Sequence, residues 1–334
     1  MSIGEPLNMI STTYSGRCWK VLHLLLELED IFEPVYSLFC PLCTTTKKVE
    51  YPHYDKLNQI ALTGTHVSAA YSKSLLPSVR TQDLSIKEQL ESGVRVFDIH
   101  IRSVFNKFVL YYKSSYLGLT FDDILKEISN FLSYHLHEFV IMSMSEEEYF
   151  AESSTMSDCE IIDQYATGSN GWRLRKNWTL RDSIGMHRGR ILLARGNRNY
   201  RFAECTVNLN KQCLIQSFKN SPWSFKDIDY KWREIQKLQA TSFHANYECF
   251  INDMGGVYLE SYPEETAKTG ITHINGCSLP LNYRMACYFV NSYRGLTIVM
   301  ADFPTQELSN RINDSNMNYT YDSCPEFLNN PVMN

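Results

Sequence analysis

The chain has 334 residues, 44% of them hydrophobic, 13% aromatic and 21% charged, with a formal net charge of −5. That length and apolar content supply a sizeable core and fit one α/β barrel as a single domain. The slightly acidic balance offers no global basic field, so nucleic acid is not an expected partner. The most apolar stretch, residues 21–39, is broken by Glu27, Glu29, Asp30 and Glu33, and no membrane-spanning helix is expected.

The N-terminus lacks the charged, apolar, small-residue order of a signal peptide. Ten cysteines, at 18, 40, 43, 159, 205, 213, 249, 277, 287 and 324, are scattered without a dense framework. They read mainly as free thiols of a reducing compartment, so the expected location is cytoplasmic, with attachment to a membrane surface as the other option. Cys40-Pro-Leu-Cys43 has no second pair at zinc spacing, and neither a metal nor a cofactor is expected. Three glycosylation sequons, at Asn177, Asn313 and Asn318, are short enough to arise by chance.

In chain order, residues 1–50 read as an extension. Within it WKVLHLLLEL, residues 19–28, is apolar enough for a short helix that caps the barrel bottom or meets a partner or membrane. Residues 51–306 then alternate strand and helix. A first strand is expected near 59–63, and Ser85-Ile-Lys-Glu88 has capping-box spacing for a helix that stops at Gly93. Residues 94–101 and 108–112 form the second and third strands, and Thr120 caps a helix whose apolar residues keep the 3.6 period. FVIMSM, residues 139–144, is a fourth strand buried on both faces by its continuous apolarity. A helix start at Thr179-Leu-Arg-Asp182 precedes a fifth strand at 190–194. Weaker strands at 213–216 and 247–251, a helix capped by Asn282 and an eighth strand at 296–301 complete a closed barrel. Residues 307–334, rich in Asn, Ser and Asp, read as a tail that wraps the surface or stays disordered.

Chemistry gathers at the expected C-terminal strand ends, where such folds place it. His66 follows the first strand in IALTGTHVS, residues 60–68, just past Gly64, and is a candidate acid/base near neutral pH. Asp98, His100 and Arg102 alternate in FDIHIR and share one face. Burying them together costs several kcal/mol unless they pair or bind something; an ion-pair network and a functional site are about equal readings. Arg195 ends the fifth strand and Asp302 the eighth. The set suits a phosphate ester, with cations on the phosphoryl oxygens and a histidine moving a proton.

Leu62-Thr-Gly-Thr-His66, Gln89-Leu-Glu-Ser-Gly-Val-Arg-Val-Phe-Asp-Ile99 and Phe131-Leu-x5-Glu138-Phe-Val-Ile-Met-Ser143 occur in order. Gly189-Arg-Ile-Leu-Leu-Ala-Arg195 and Ile298-Val-Met-Ala-Asp302 follow them. Together they resemble the phosphatidylinositol-specific phospholipase C X-domain family, in spacing most like its small, metal-independent bacterial type. The resemblance spans roughly residues 54–304 and implies a distorted TIM barrel. It also implies phosphodiester cleavage by paired histidines, one taking the proton of the attacking inositol hydroxyl and one protonating the departing diacylglycerol oxygen. By this resemblance His66 is the first histidine, Asp302 its carboxylate, Asp98 a further acid of the site, and Arg195 an inositol contact. Val67 stands where the family has Asp or Asn, and His100 where it has the phosphate arginine. Tyr111, Tyr112 and Lys113 occupy the region of the second histidine. Ser145 and Glu146 replace a usual basic residue, and residues 217–219 replace the expected inositol contacts.

Two functions follow. One is a phospholipase C-like phosphodiesterase on phosphoinositide or related lipids with a rearranged, weakened site. There His100 serves as second acid or phosphate cation, and Arg102 and Lys113 restore positive charge. The other is an inactive barrel that binds an anionic headgroup or a protein partner. A weaker third reading places the function in the N-terminal extension. The tryptophans at 172, 178, 223 and 232 suit a membrane interface if exposed and core if buried.

Overall fold

The computed structural model describes residues 56–147, 154–196, 202–216, 228–256, 261–273, 276–292 and 294–317. The N-terminal extension, the Cys40–Cys43 pair, Trp223, residues 217–219 and the end of the tail lie outside them.

Parallel strands make a curled sheet. Its order is β6 (Leu174–Arg175), β7 (Ile191–Arg195), β5 (Val140–Glu146), β2 (Val94–Val104), β1 (Ala61–Thr65), β13 (Leu296–Ala301), β10 (Cys249–Asp253) and β9 (Leu214–Gln216). A short β8 (Val207–Asn208) pairs with the end of β7, and β11 (Ile271–His273) with β12 (Gly276–Ser278) forms a separate two-stranded antiparallel sheet. Among the described residues β8 and β9 do not pair, so the α/β sheet is a half-barrel, a TIM-like barrel left open on one side. Inside the curl Leu62, Val96, Ile141, Leu192 and Ile298 fill the lower half with apolar side chains. Phe97, Ile99 and Ile101 alternate to the outer face of β2 and pack under the helices.

The expected third strand is present but is not a barrel stave. β3 (Lys107–Tyr112) runs antiparallel to β2, and β4 (Ser115–Thr120) runs antiparallel to β3. Only Phe105 and Asn106 join β2 to β3, both at positive φ (48° and 59°), the two-residue turn whose twist suits a hairpin. A parallel partner needs a crossover of a dozen residues or more. The eighth stave of the path is instead β6, which the strand pattern had missed.

Local signals predict only some of the helices: those at 158–167, 209–212 and 228–242 were not expected, and the start read at Thr179–Asp182 lies instead at Ser183, N-cap of a four-residue helix. Ser85 and Glu88 form the capping box of α1 (Ile86–Glu91), and Thr120 caps α2 (Phe121–Tyr134) with Asp123 completing the box. Between them and the C-terminus come α3 (Asp158–Thr167), α4 (Ile184–His187), α5 (Leu209–Gln212), α6 (Ile228–Ser242) and α7 (Leu281–Tyr288). Asn282 is not the cap of α7, whose N-cap is Pro280; its amide donates to the carbonyls of Asp302 and Phe303, at 3.0 and 2.7 Å. The tail, expected to wrap the surface or stay disordered, begins as α8 (Gln306–Ser315), which buries Leu308 and Ile312. Just after it Asn316 accepts from the amide of Ala61 and donates to its carbonyl, at 2.7 and 2.8 Å. The packed body therefore continues past residue 306.

The cysteines correct another expectation. Cys159 is bonded to Cys205, Cys213 to Cys249, and Cys287 is also in a disulfide; among the described residues none is a free thiol. Cys213–Cys249 ties the start of β9 to the start of β10, beside the opening in the barrel. No helix among the described residues is long and apolar enough to cross a membrane. Trp178 and Trp232 are core, and Trp172 is exposed.

Candidate active site

The site lies where β1, β2, β5, β10 and β13 end. His66 is the first residue beyond β1 and Asp302 the first beyond β13, and those strands pair in register up to Thr65 and Ala301. The backbone then bends sharply at both places. Val67 has φ 42° and Phe303 φ 44°, the left-handed region that costs a non-glycine residue about 1–3 kcal/mol. Buried amides hold the bends. Gln82 donates to the carbonyls of His66 and Ala301, at 2.8 and 3.2 Å, as Asn282 does to Asp302 and Phe303. Val67 turns its side chain into the outer core and does not fill the site.

The result is a buried histidine–carboxylate pair. His66 Nδ1 lies 2.9 Å from Asp302 Oδ1, while Asp302 Oδ2 accepts the amide of Gly256 at 3.1 Å. With its Nδ1 proton directed at a carboxylate, the basic nitrogen of His66 is Nε2, which bonds to no described residue. Gly255 lies flat against the imidazole; a Cβ there would stand 2.7 Å from Nδ1. Its amide donates to Asp253 at the end of β10, and its carbonyl accepts from the buried ammonium of Lys231.

His100 is held differently. Its Nε2 lies 2.8 Å from Asp98 Oδ2, and its Nδ1 bonds to Glu147. Facing a carboxylate from each nitrogen, the ring donates twice, and that is the imidazolium form. Asp98 also accepts from Ser145 Oγ and the amide of Val67, at 3.2 and 3.3 Å. Burial alone would raise the Glu147 carboxyl, but the bond and charge of His100 hold it below its ordinary range. The His66 and His100 rings are 6.3 Å apart, and Tyr112 stands edge-on to both, at 6.1 and 5.5 Å. Burial, then the charges of Asp302, Glu147, Asp98 and Asp253, push the Tyr112 phenol far above its usual value.

The structure thus gathers His66, Asp98, His100 and Asp302. Arg102 turns away, its guanidinium 4.1 Å over the Tyr111 ring and bonded to the carbonyl of Lys113. The Lys113 ammonium sits 5.0 Å over the Tyr112 ring. Arg195 is buried at the end of β7, with β5 between it and β2. Sequence reasoning missed Glu147, Asp253, Gly255, Gln82 and the bracing role of Asn282. Glu147 was within reach, because it keeps the alternation of Ser143 and Ser145 on the strand beside Asp98 and His100.

No family model matches the chain. A curated relative, the 1-phosphatidylinositol phosphodiesterase of Listeria monocytogenes, is 25% identical over 289 residues, covering 80% of this chain and 84% of that one. The two proteins are homologous. The solved Listeria phosphatidylinositol-specific phospholipase C superposes with a TM-score of 0.64 at 20% identity, covering 81% of this chain and 99% of that one. The Staphylococcus aureus phosphatidylinositol-specific phospholipase C gives 0.63 at 15% identity, over 80% and 96%. These superpositions cover about four-fifths of the chain, and its fold is that of these bacterial enzymes.

Proposed function

We propose that this chain is a phospholipase C-like phosphodiesterase acting on phosphoinositide or related phosphodiester lipids, with its rate lowered by the way His100 is tied. The observation that carries this is His66, aligned by Asp302 and with Nε2 open at the mouth of the half-barrel. His66 takes the proton of a hydroxyl beside the phosphodiester. That oxygen attacks phosphorus, and the diacylglycerol oxygen leaves in line. The His100 imidazolium supplies fixed positive charge nearby. It cannot hand a proton to the leaving oxygen without abandoning Asp98 or Glu147, so it is a cation of the site and not its second acid. Arg195, at the same end of the sheet, is the candidate headgroup contact.

A second reading, a barrel that binds without cleaving, is favoured by the crowding of Asp98, Glu147, Asp253 and Asp302 around Tyr112. Like charges there oppose the negative charge that builds on phosphorus during cleavage, while Arg195, at the same end of the sheet, can still hold an anionic headgroup. Turnover separates the two readings. Phosphatidylinositol vesicles and a soluble aryl inositol phosphodiester should both be cleaved, and His66→Ala should lower the rate about 10²–10⁴-fold. Inositol phosphate binding without any turnover would establish the second reading. As for location, the disulfides favour an oxidising compartment over the expected cytoplasm. A lipid surface is the natural place of action for such an enzyme, met from one side.

A further inference from the structure

Tyr112 has no role in the mechanism so far. It closes β3, and the hairpin carries it back over the strand ends, where its ring completes a triangle with those of the two histidines. Tyr112 is partly buried, and its hydroxyl makes no hydrogen bond to any described residue, so its proton is available to a bound substrate. In-line displacement needs the base on one side of phosphorus and the acid on the other, so His66 alone cannot serve the attacking and the leaving oxygen together. His100 has both nitrogens committed. We propose that Tyr112 is the acid of the reaction, its phenol protonating the alcohol oxygen as it leaves phosphorus.

The proposal rests on the phosphodiesterase reading. In the step, the attacking oxygen bonds to phosphorus and its proton passes to His66 Nε2. The bond from phosphorus to the leaving oxygen breaks, and that oxygen takes the phenolic proton. The His66 imidazolium then returns a proton through water to the phenolate, and the site is restored. Burial and the four carboxylates keep the phenol protonated across any working pH. It is a weak acid, yet an aliphatic alcohol is weaker still, about as weak as water, and its alkoxide takes the proton. A donor of this kind matters only where the leaving oxygen is strongly basic.

That gives the test. Two inositol phosphodiesters are compared, one losing an aliphatic alcohol and one losing p-nitrophenol, which departs unaided. Tyr112→Phe removes the hydroxyl and keeps the ring. It should lower kcat/KM about 10²-fold or more on the aliphatic substrate, the range for a lost general acid, with a loss at least about ten-fold smaller on the aryl one. Equal losses on both, or no loss on the aliphatic substrate, overturn the proposal. If the variant does not fold, the wild type answers alone. Across alcohols of falling acidity its rate should fall shallowly, and a steep fall means no acid assists. Failure of the wider reading looks different. Wild-type protein that cleaves neither substrate, or cleaves them indifferently to His66→Ala, sinks both.

Discussion

β2 carries a buried ionic cluster near each end, and the two are built to opposite rules. Near its start Arg95 points outward, and its Nε and Nη2 donate to the two oxygens of Glu138, both at 2.9 Å. Its Nη1 donates to the carbonyls of Leu90 and Val94, at 2.7 and 2.8 Å, and the guanidinium lies 4.8 Å over the Phe131 ring. Near its end Asp98 and His100 point inward to a cluster that leaves His66 Nε2 and the Tyr112 hydroxyl open, on backbone strained at Val67 and Phe303. Burial and charge are common to both. What separates them is valence: a bidentate pair with its donors committed holds structure, and groups left open beside strain are available for chemistry.

Breaking the first cluster should have the largest effect. Glu138→Ala strands a buried guanidinium and should cost about 3–5 kcal/mol of stability, read from urea denaturation, while the protein that remains folded keeps its turnover. A loss of turnover in step with an intact fold would erase the contrast. Next comes the staple beside the barrel opening. Replacing Cys213 and Cys249 by serine should cost about 2–4 kcal/mol, and reductant should move the wild-type midpoint the same way. Third, Gly255→Ala forces a Cβ to within 2.7 Å of His66 Nδ1. A ring displaced by about an ångström should lose on the order of 10² in kcat while the urea midpoint moves little, the reverse of Glu138→Ala.

Much of this contrast can be read in VRVFDIHIR. Period-two alternation places Arg95 with Phe97, Ile99 and Ile101 on the outer face, and Asp98 and His100 with Val96 on the inner one. The capping boxes at Ser85 and Thr120 and the strands at Ile141, Leu192 and Ile298 were equally legible, because they depend on neighbours in sequence. The hairpin could have been read too, since the five residues between Ile101 and Lys107 are too few for a crossover. The left-handed bends at Val67 and Phe303 carry no glycine to announce them. Amides from Gln82 and Asn282, distant in sequence, hold them in place. Composition gave no sign of the disulfides either, because Cys213 and Cys249 meet only once β9 lies beside β10.

The smallest predicted effect concerns pH. Glu147 has a folded pKa below its ordinary 4.5, because His100's bond and charge outweigh the burial that would raise it. A depressed carboxyl gives stability that is fully present above the unfolded value and lost as pH falls through the folded one, since the unfolded chain then binds the extra proton. The wild-type urea midpoint should therefore drop between about pH 6 and about pH 3. Glu147→Gln removes this group's share, and its midpoint should drop less over the same interval. Equal drops would mean that Glu147 and His100 are not coupled. The substitution also tests what distinguishes the two histidines. With a neutral amide in place of the Glu147 carboxylate, His100 keeps one carboxylate partner, as His66 does, and can give up its second proton. The pH–rate profile of the variant should then show an added ionisation that the wild type lacks, and an unchanged profile would mean that His100 is held by Asp98 alone.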